Sequence, residues 1–248
     1  MKVGISTACF YPEQETETAL KSINSLGADC AEVFLRTFYE YRPEFAKAVA
    51  PDICGVNVHS ARASWENFEG QLFSASRRIR GDGFYWLDQI MRSAQLLGVH
   101  NYAFRGFSRN TQNCDDFDAL SGYIWGVIEF CARYGVGLCL ENAHCALYNR
   151  PSVFAELKHR CPQLSAVLNL AQARRSGYPY TMYLKDMAGA ISQVNLTVED
   201  LTDNAELFKR LKDTGFDGAV IIEAGRHCGT EEIKRALDLA EELIYKTK

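Results

Sequence analysis

The sequence predicts one closed (β/α)8 barrel, and three observations carry that expectation. Short apolar runs alternate with longer amphipathic stretches eight times along the chain. The 248 residues spread over eight such units give 248/8 = 31 residues per unit, the size of a barrel of parallel strands. No Pro/Ser-rich linker or shift of composition interrupts the series, so residues 1–248 read as one domain. Strands bounded by helices pair in parallel, because parallel neighbours need a crossover of about a dozen residues or more. An open doubly wound sheet is the competing architecture, but no Gly-x-Gly-x-x-Gly follows the first strand.

Lys2–Thr7 is β-rich and opens the series. Ala19, Leu20, Ile23 and Leu26 recur at helical spacing through Thr16–Leu26, and Gly27 closes that helix. Ala31–Leu35 reads as the second strand and Pro43–Ala50 as a short helix. Gly55–His59 reads as the third strand. A long polar loop follows, then a helix over Phe84–Leu97 ended by Gly98. The basic run Ser76–Arg80 falls in that loop and reads as a solvated or lid segment. Val99–Phe104 is the fourth strand, and Asp116–Tyr134 a helix stopped by Gly135. Val136–Glu141 and the helix Val153–His159 form the fifth unit. Leu164–Leu170 with a helix near Tyr180–Met187 forms the sixth. Ile191–Leu196 with Ala205–Thr214 forms the seventh, and Ala219–Glu223 with Glu231–Tyr245 the eighth.

Composition removes several classes of function. With 47% hydrophobic, 12% aromatic and 23% charged residues, the chain has the make-up of an ordinary soluble globular protein. No apolar run approaches the roughly 20 residues of a membrane span. The start, Met1-Lys2-Val3-Gly4-Ile5-Ser6, lacks the apolar core of a secretory leader, so a cytoplasmic protein without membrane contact is expected. A net charge of -4 and a pI near 5.8 argue against a nucleic-acid partner. The nine cysteines form no Cys-x-x-Cys pair and lie mostly in apolar segments, which points to buried reduced thiols.

In such a barrel, chemistry sits at the C-terminal ends of the strands. Reading the residues there gives Glu32, His59, Arg105, Glu141 with Asn142, Asn169 with Gln172, Asn195, and Glu223. A carboxylate ending an apolar strand, as in Leu138-Cys139-Leu140-Glu141 or Val220-Ile221-Ile222-Glu223, is costly to bury without a partner. The plain alternative to catalysis is a salt bridge to an arginine. Arg36, Arg62, Arg105, Arg174, Arg175 and Arg226 all follow strands on that face, while the lysines sit mostly in helices. An arginine rim suits phosphate or carboxylate, so the expected partner is a small anionic ligand. Phe10, Tyr11, Phe38, Trp65, Phe107 and Tyr148 are placed to stack on a ligand's apolar face, and His144 and His227 follow the two glutamates.

Taken in order, Val3-Gly4-Ile5-Ser6, Leu26-Gly27-Ala28-Asp29-Cys30-Ala31-Glu32-Val33, Val58-His59, Leu140-Glu141-Asn142, Val167-Leu168-Asn169 and Ile222-Glu223 carry a resemblance. The chain resembles the xylose isomerase-like TIM barrels, a superfamily of sugar-phosphate isomerases and epimerases that includes endonuclease IV. The resemblance implies a divalent metal held by Glu, Asp, His and Glu of strands 5 to 8. It also implies that the two glutamates form an acid/base pair moving a proton beside a carbonyl. Glu141 and Glu223 match the glutamates; Asn169 stands for the aspartate and Asn195 for the histidine. The metal site is therefore expected to be degraded, holding Mg²⁺ or Mn²⁺ weakly or no metal at all. If a metal is present, Glu141, Asn169, Asn195 and Glu223 are its expected ligands.

The expected function is a sugar or sugar-phosphate isomerase or epimerase with Glu141 and Glu223 catalytic. His59, Arg105, Asn142, Asn169, Gln172, Asn195 and Arg226 are the expected substrate contacts, with Arg105 or the Asn142 amide as electrophile. A binding barrel that has lost its metal is the alternative. Endonuclease-type repair is disfavoured, because Arg105 and Gln172 stand where that branch wants histidines. Barrels of this kind are often dimers or tetramers, and the sequence does not choose an assembly.

Overall fold

Eight parallel strands close on themselves in the order β1-β2-β3-β4-β5-β6-β7-β8, with helices on the outside. The computed structural model describes the chain apart from residues 54, 107–115, 204–205, 224–228 and 248. The strands are β1 (Lys2–Ser6), β2 (Cys30–Leu35), β3 (Asn57–Ala63), β4 (Asn101–Phe104), β5 (Gly137–Glu141), β6 (Ser165–Asn169), β7 (Ile191–Leu196) and β8 (Ala219–Ile222). The main outer helices are α1 (Thr16–Leu26), α2 (Pro43–Val49), α3 (Arg77–Leu96), α4 (Phe117–Ala132) and α5 (Pro151–Arg160). They continue with α6 (Leu170–Ser176), α7 (Tyr180–Asp186), α8 (Val198–Asp203), α9 (Leu207–Asp213) and α10 (Thr230–Lys246). Among the described residues, no helix is long and apolar enough to cross a membrane.

The barrel closes tightly because its lower interior is built from small residues. A Cβ added at Gly4 would lie 2.6 Å from both the carbonyl oxygen and the sulfur of Cys30, and 2.7 Å from Ile221 Cδ1. Cys30 packs there with Ala219 and Ile221, and Ala103, Cys139 and Val167 form a matching patch across the barrel. Burial pushes the Cys30 thiol up to about 12 and the Cys139 thiol to about 11, so both are inert packing groups. Outside the strands, the helices lay their apolar faces on the sheet. Ala19, Leu20 and Ile23 of α1 are fully buried, and Gly27 (φ 80°) ends that helix in the left-handed conformation.

Three departures from the sequence reading bear on the site. β3 does not stop at His59 but runs to Ala63, which puts Arg62 inside a strand rather than on a rim loop. Arg62 is tolerated there because carboxylates distant in sequence surround it. The run Ser76–Arg80 is no loop: Ser76 precedes α3, and the arginines form its first turn. Finally, α6 and α8 add two short helices after β6 and β7.

Candidate active site

Each of the eight strands delivers a polar side chain to one buried layer near the C-terminal end of the barrel. Ser6 ends β1, Glu32 lies in β2, Arg62 in β3, and Arg105 follows β4. Glu141 ends β5, Asn169 ends β6, Gln193 and Asn195 lie in β7, and Glu223 follows β8. Buried polar groups must find partners, and here they find one another around the circle. Ser6 Oγ donates to Glu32 Oε1 (2.9 Å), and Gln193 Nε2 to Glu32 Oε2 (2.7 Å) and Asn195 Oδ1 (2.7 Å). Asn195 Nδ2 donates to Glu223 Oε1 at 2.8 Å. Asn169 Nδ2 bridges the two glutamates, 3.0 Å from Glu223 Oε2 and 2.8 Å from Glu141 Oε1.

Two arginines complete the charge pattern. Arg105 grips Glu141 as a fork, Nε to Oε2 at 2.6 Å and Nη2 to Oε1 at 2.9 Å. Arg62 sits in the centre of the circle. Its Nη1 lies 2.6 Å from Glu223 Oε1 and 3.7 Å from Glu141 Oε2, and its Nη2 lies 3.3 Å from Glu32 Oε1. Its guanidinium carbon rests over the Phe34 ring, 4.7 Å from the centroid. Three carboxylates therefore face two guanidiniums.

The carboxylates are not equivalent. Burial pushes the Glu32 carboxyl above its ordinary range, with the Arg62 guanidinium opposing. Burial acts on Glu141 too, but there Arg105 and then Arg62 outweigh it and hold the carboxyl below the usual range. For Arg62 itself, burial favours the neutral form, yet Glu223, Glu32 and Glu141 together raise its affinity for the proton. The side chains of Glu32 and Glu141 are 0% exposed, that of Glu223 is 18% exposed, and that of Arg105 is 23% exposed. A ligand entering from the mouth thus meets Glu223 and Arg105.

The remaining sequence-derived candidates divide. Asn142 uses both ends of its amide on the Asn169 backbone: Nδ2 donates to the carbonyl at 3.1 Å and Oδ1 accepts from the N–H at 2.6 Å. It clamps β5 to β6. Gln172 Oε1 accepts from the backbone N–H of His144 at 3.1 Å and lies 2.9 Å from its Nδ1, fixing the loop after β5. His59 lies away from the layer, toward the N-terminal end of the barrel. It falls at the register shift between Ala31 and Glu32 on β2, with Nε2 3.5 Å from the side chain of Asn101, the first residue of β4. Burial lowers its pKa, and Lys2 and His100 add to the effect. Arg226, Phe107 and His227 lie outside the described residues.

Of the other rim arginines, Arg36 stacks on the Tyr11 ring at 3.7 Å, Arg174 pairs with Asp200, and Arg175 is exposed. Sequence reasoning missed Glu69 entirely. This carboxylate, in the 3-10 turn Glu69–Phe73, is fully buried. It accepts from Tyr102 Oη (2.7 Å) and from the backbone N–H groups of Arg105 (2.9 Å) and Gly106 (2.6 Å). Burial pushes it up to about 7 despite those donors. No local pattern marks Glu69, because its partners sit on the next strand and beyond it.

No family model matches the sequence, and no curated protein matches it. Solved structures do match the coordinates. D-psicose 3-epimerase from Clostridium cellulolyticum H10, solved with D-tagatose, superposes with a TM-score of 0.83 at 15% identity, covering 98% of this chain and 99% of that one. A xylose isomerase domain protein from Planctomyces limnophilus gives 0.74 at 15% identity, over 99% and 96% of the two chains. The fold is that of the xylose isomerase-like barrels. The IOLI protein, solved with a zinc atom, gives 0.79 at 16% identity, over 100% and 99%.

At the positions that the resemblance implies as metal ligands, the amides of this chain turn N–H donors toward the carboxylates. Asn169 Oδ1 accepts from the Gln172 N–H at 3.1 Å as the N-cap of α6, which turns Nδ2, a donor, toward the carboxylates. Asn195 Oδ1 is likewise engaged by Gln193. Among the described residues, no group of three or more His, Cys, Asp or Glu side chains is arranged to hold a metal.

Proposed function

We propose that this barrel takes a small carbohydrate-class ligand at its C-terminal mouth and moves a proton beside the ligand's carbonyl, with Glu223 as the base. The observation that supports this reading is the asymmetry of the cluster. Glu223 is the only one of its three carboxylates with an exposed edge, and it stands beside a guanidinium at the end of β8. The fold is one in which sugar epimerases operate, which agrees with a carbohydrate ligand. Arg36 and Arg105, at the ends of β2 and β4, favour a ligand carrying phosphate or carboxylate.

Inversion at a carbon needs an acid on the face opposite the base. Glu141 is held ionised by Arg105 and closed to solvent, so it makes a poor acid. A single base carrying one proton along one face suits aldose–ketose isomerisation better. On this reading Glu141 anchors Arg105 and Asn169, and does not itself exchange a proton with the ligand.

A second reading, ligand binding without turnover, is favoured by the saturation of Glu141, whose two oxygens already receive Arg105 and Asn169. One experiment separates the two. Aldoses, ketoses and their phosphates are incubated with the protein in deuterated water and followed by NMR. Exchange of a carbon-bound proton, lowered by about 10²-fold or more in Glu223→Gln, supports proton transfer. Saturable binding with no exchange by the wild-type protein would establish the binding reading instead.

A further inference from the structure

Three carboxylates, Glu32 and Glu141 fully buried and Glu223 partly so, converge on a single side chain, and that convergence defines a socket for a cation. Glu32, Glu141 and Glu223 come from β2, β5 and beyond β8, and no two of them are neighbours in sequence. Their nearest oxygens lie 3.3, 3.7 and 2.6 Å from the nitrogens of Arg62. Without a cation at this point the three acids would repel one another inside the barrel.

We infer that Arg62 is the built-in cation of this barrel: its guanidinium fills a three-carboxylate socket, excludes a divalent metal, and leaves a cation site when removed. This deepens the proposed function by naming the positive charge beside Glu223, but it stands on the ion pairs and not on turnover.

The chemistry of the surrounding amides agrees with a resident guanidinium and not with an ion. A divalent cation binds through oxygen or nitrogen lone pairs. Asn169 and Asn195 instead present N–H groups to the glutamates, and their oxygens are engaged by the Gln172 backbone and by Gln193. Those N–H donors use carboxylate lone pairs that a metal would need. The Arg62 guanidinium, by contrast, ion-pairs with all three carboxylates through two of its nitrogens, while the amide N–H groups keep their bonds to Glu141 and Glu223. The strand setting points the same way. Arg62 pairs in register with Ala103 of β4 and Phe34 of β2, so its backbone is fixed by the barrel itself. An ion can leave, but this charge cannot.

The test uses the full chain, with Mn²⁺ and free guanidinium as probes. Wild type, Arg62→Ala and the charge-matched double variant Arg62→Ala, Glu32→Gln are compared by Mn²⁺ binding (electron paramagnetic resonance and calorimetry). Thermal unfolding is then followed with and without low-millimolar guanidinium chloride, a concentration far below denaturing levels. The expected result is substoichiometric Mn²⁺ on wild type and at least about tenfold tighter Mn²⁺ binding in a variant lacking the arginine. Guanidinium should raise the unfolding temperature of that variant and leave wild type unmoved. The double variant keeps the test decisive if the single one does not fold, because it restores the charge count. Stoichiometric Mn²⁺ on wild type would overturn the inference. So would a folded variant that binds neither probe more tightly than wild type does. Neither result depends on sugar chemistry, so failure here and failure of the Glu223 assignment are read from different measurements.

Discussion

The two ends of this barrel's interior are built on opposite principles. In one inner layer the chain places Gly4, Cys30, Ala103, Cys139, Ala219 and Ile221, small or apolar groups held mainly by packing, with Cys139 Sγ also accepting from Ser192 Oγ at 3.2 Å. In the layer toward the C-terminal mouth it places Ser6, Glu32, Arg62, Glu141, Asn169 and Asn195, whose side chains pair with one another and with Arg105, Gln193 and Glu223. The lower layer is held by contact and volume, which change little with pH or salt. The upper layer is held by matched charge, which is costly to disturb and open to titration. Stability and chemistry are thus divided along one set of strands.

The division can be broken from the top first. Arg105→Met removes the fork from Glu141 and leaves a fully buried carboxylate with less compensation. Loss of one partner from a buried pair costs about 3–5 kcal/mol. Urea unfolding should show a loss of that size; below about 1 kcal/mol, the pair would be behaving like an exposed one.

A second disturbance uses pH. Glu69 carries the main chain at Arg105 and Gly106, and burial lifts its carboxyl from 4.5 to about 7. Between those values the folded protein holds a proton that the unfolded chain has released, so stability falls as pH rises. The whole window is worth roughly 3 kcal/mol. Glu69→Gln should flatten this fall in unfolding experiments across the window. Parallel pH profiles for wild type and variant would sink the assignment.

The smallest effect is expected at the bottom. Gly4→Ala forces a methyl group against Cys30 and Ile221, and overpacking of this kind costs about 1–3 kcal/mol. Unlike the Glu69 effect, the loss should be the same at every pH tested, and a pH-dependent loss would erase the contrast between the layers.

Much of the architecture was legible in the chain because it is written locally. Helical spacing in Thr16–Leu26, the glycine after it, and apolar strands ending in Glu141 or Asn169 each follow from neighbours in sequence. What could not be read was set by partners far away. Arg62 looks like a loop residue until Glu32, Glu141 and Glu223 surround it, and the end of β3 moves with it. His59 and Arg62 share that strand, but the irregularity opposite Ala31 and Glu32 separates their surroundings. Asn169 and Asn195 were visible as amides in place of metal ligands. That their N–H groups face the acids depends on a helix cap and on Gln193, which only the folded chain brings into reach.

The participation of all eight strands in the polar layer has a consequence for how the protein comes apart. A barrel closed only by backbone ladders can fray at a seam, since parting two strands exposes ordinary amide groups to water. Here the layer behaves like a hoop around a stave barrel. Parting almost any seam also strands a carboxylate, an arginine or an amide whose partner belongs to another stave. Local opening near the mouth is therefore raised toward the cost of losing the whole fold, and the staves are bound to open together.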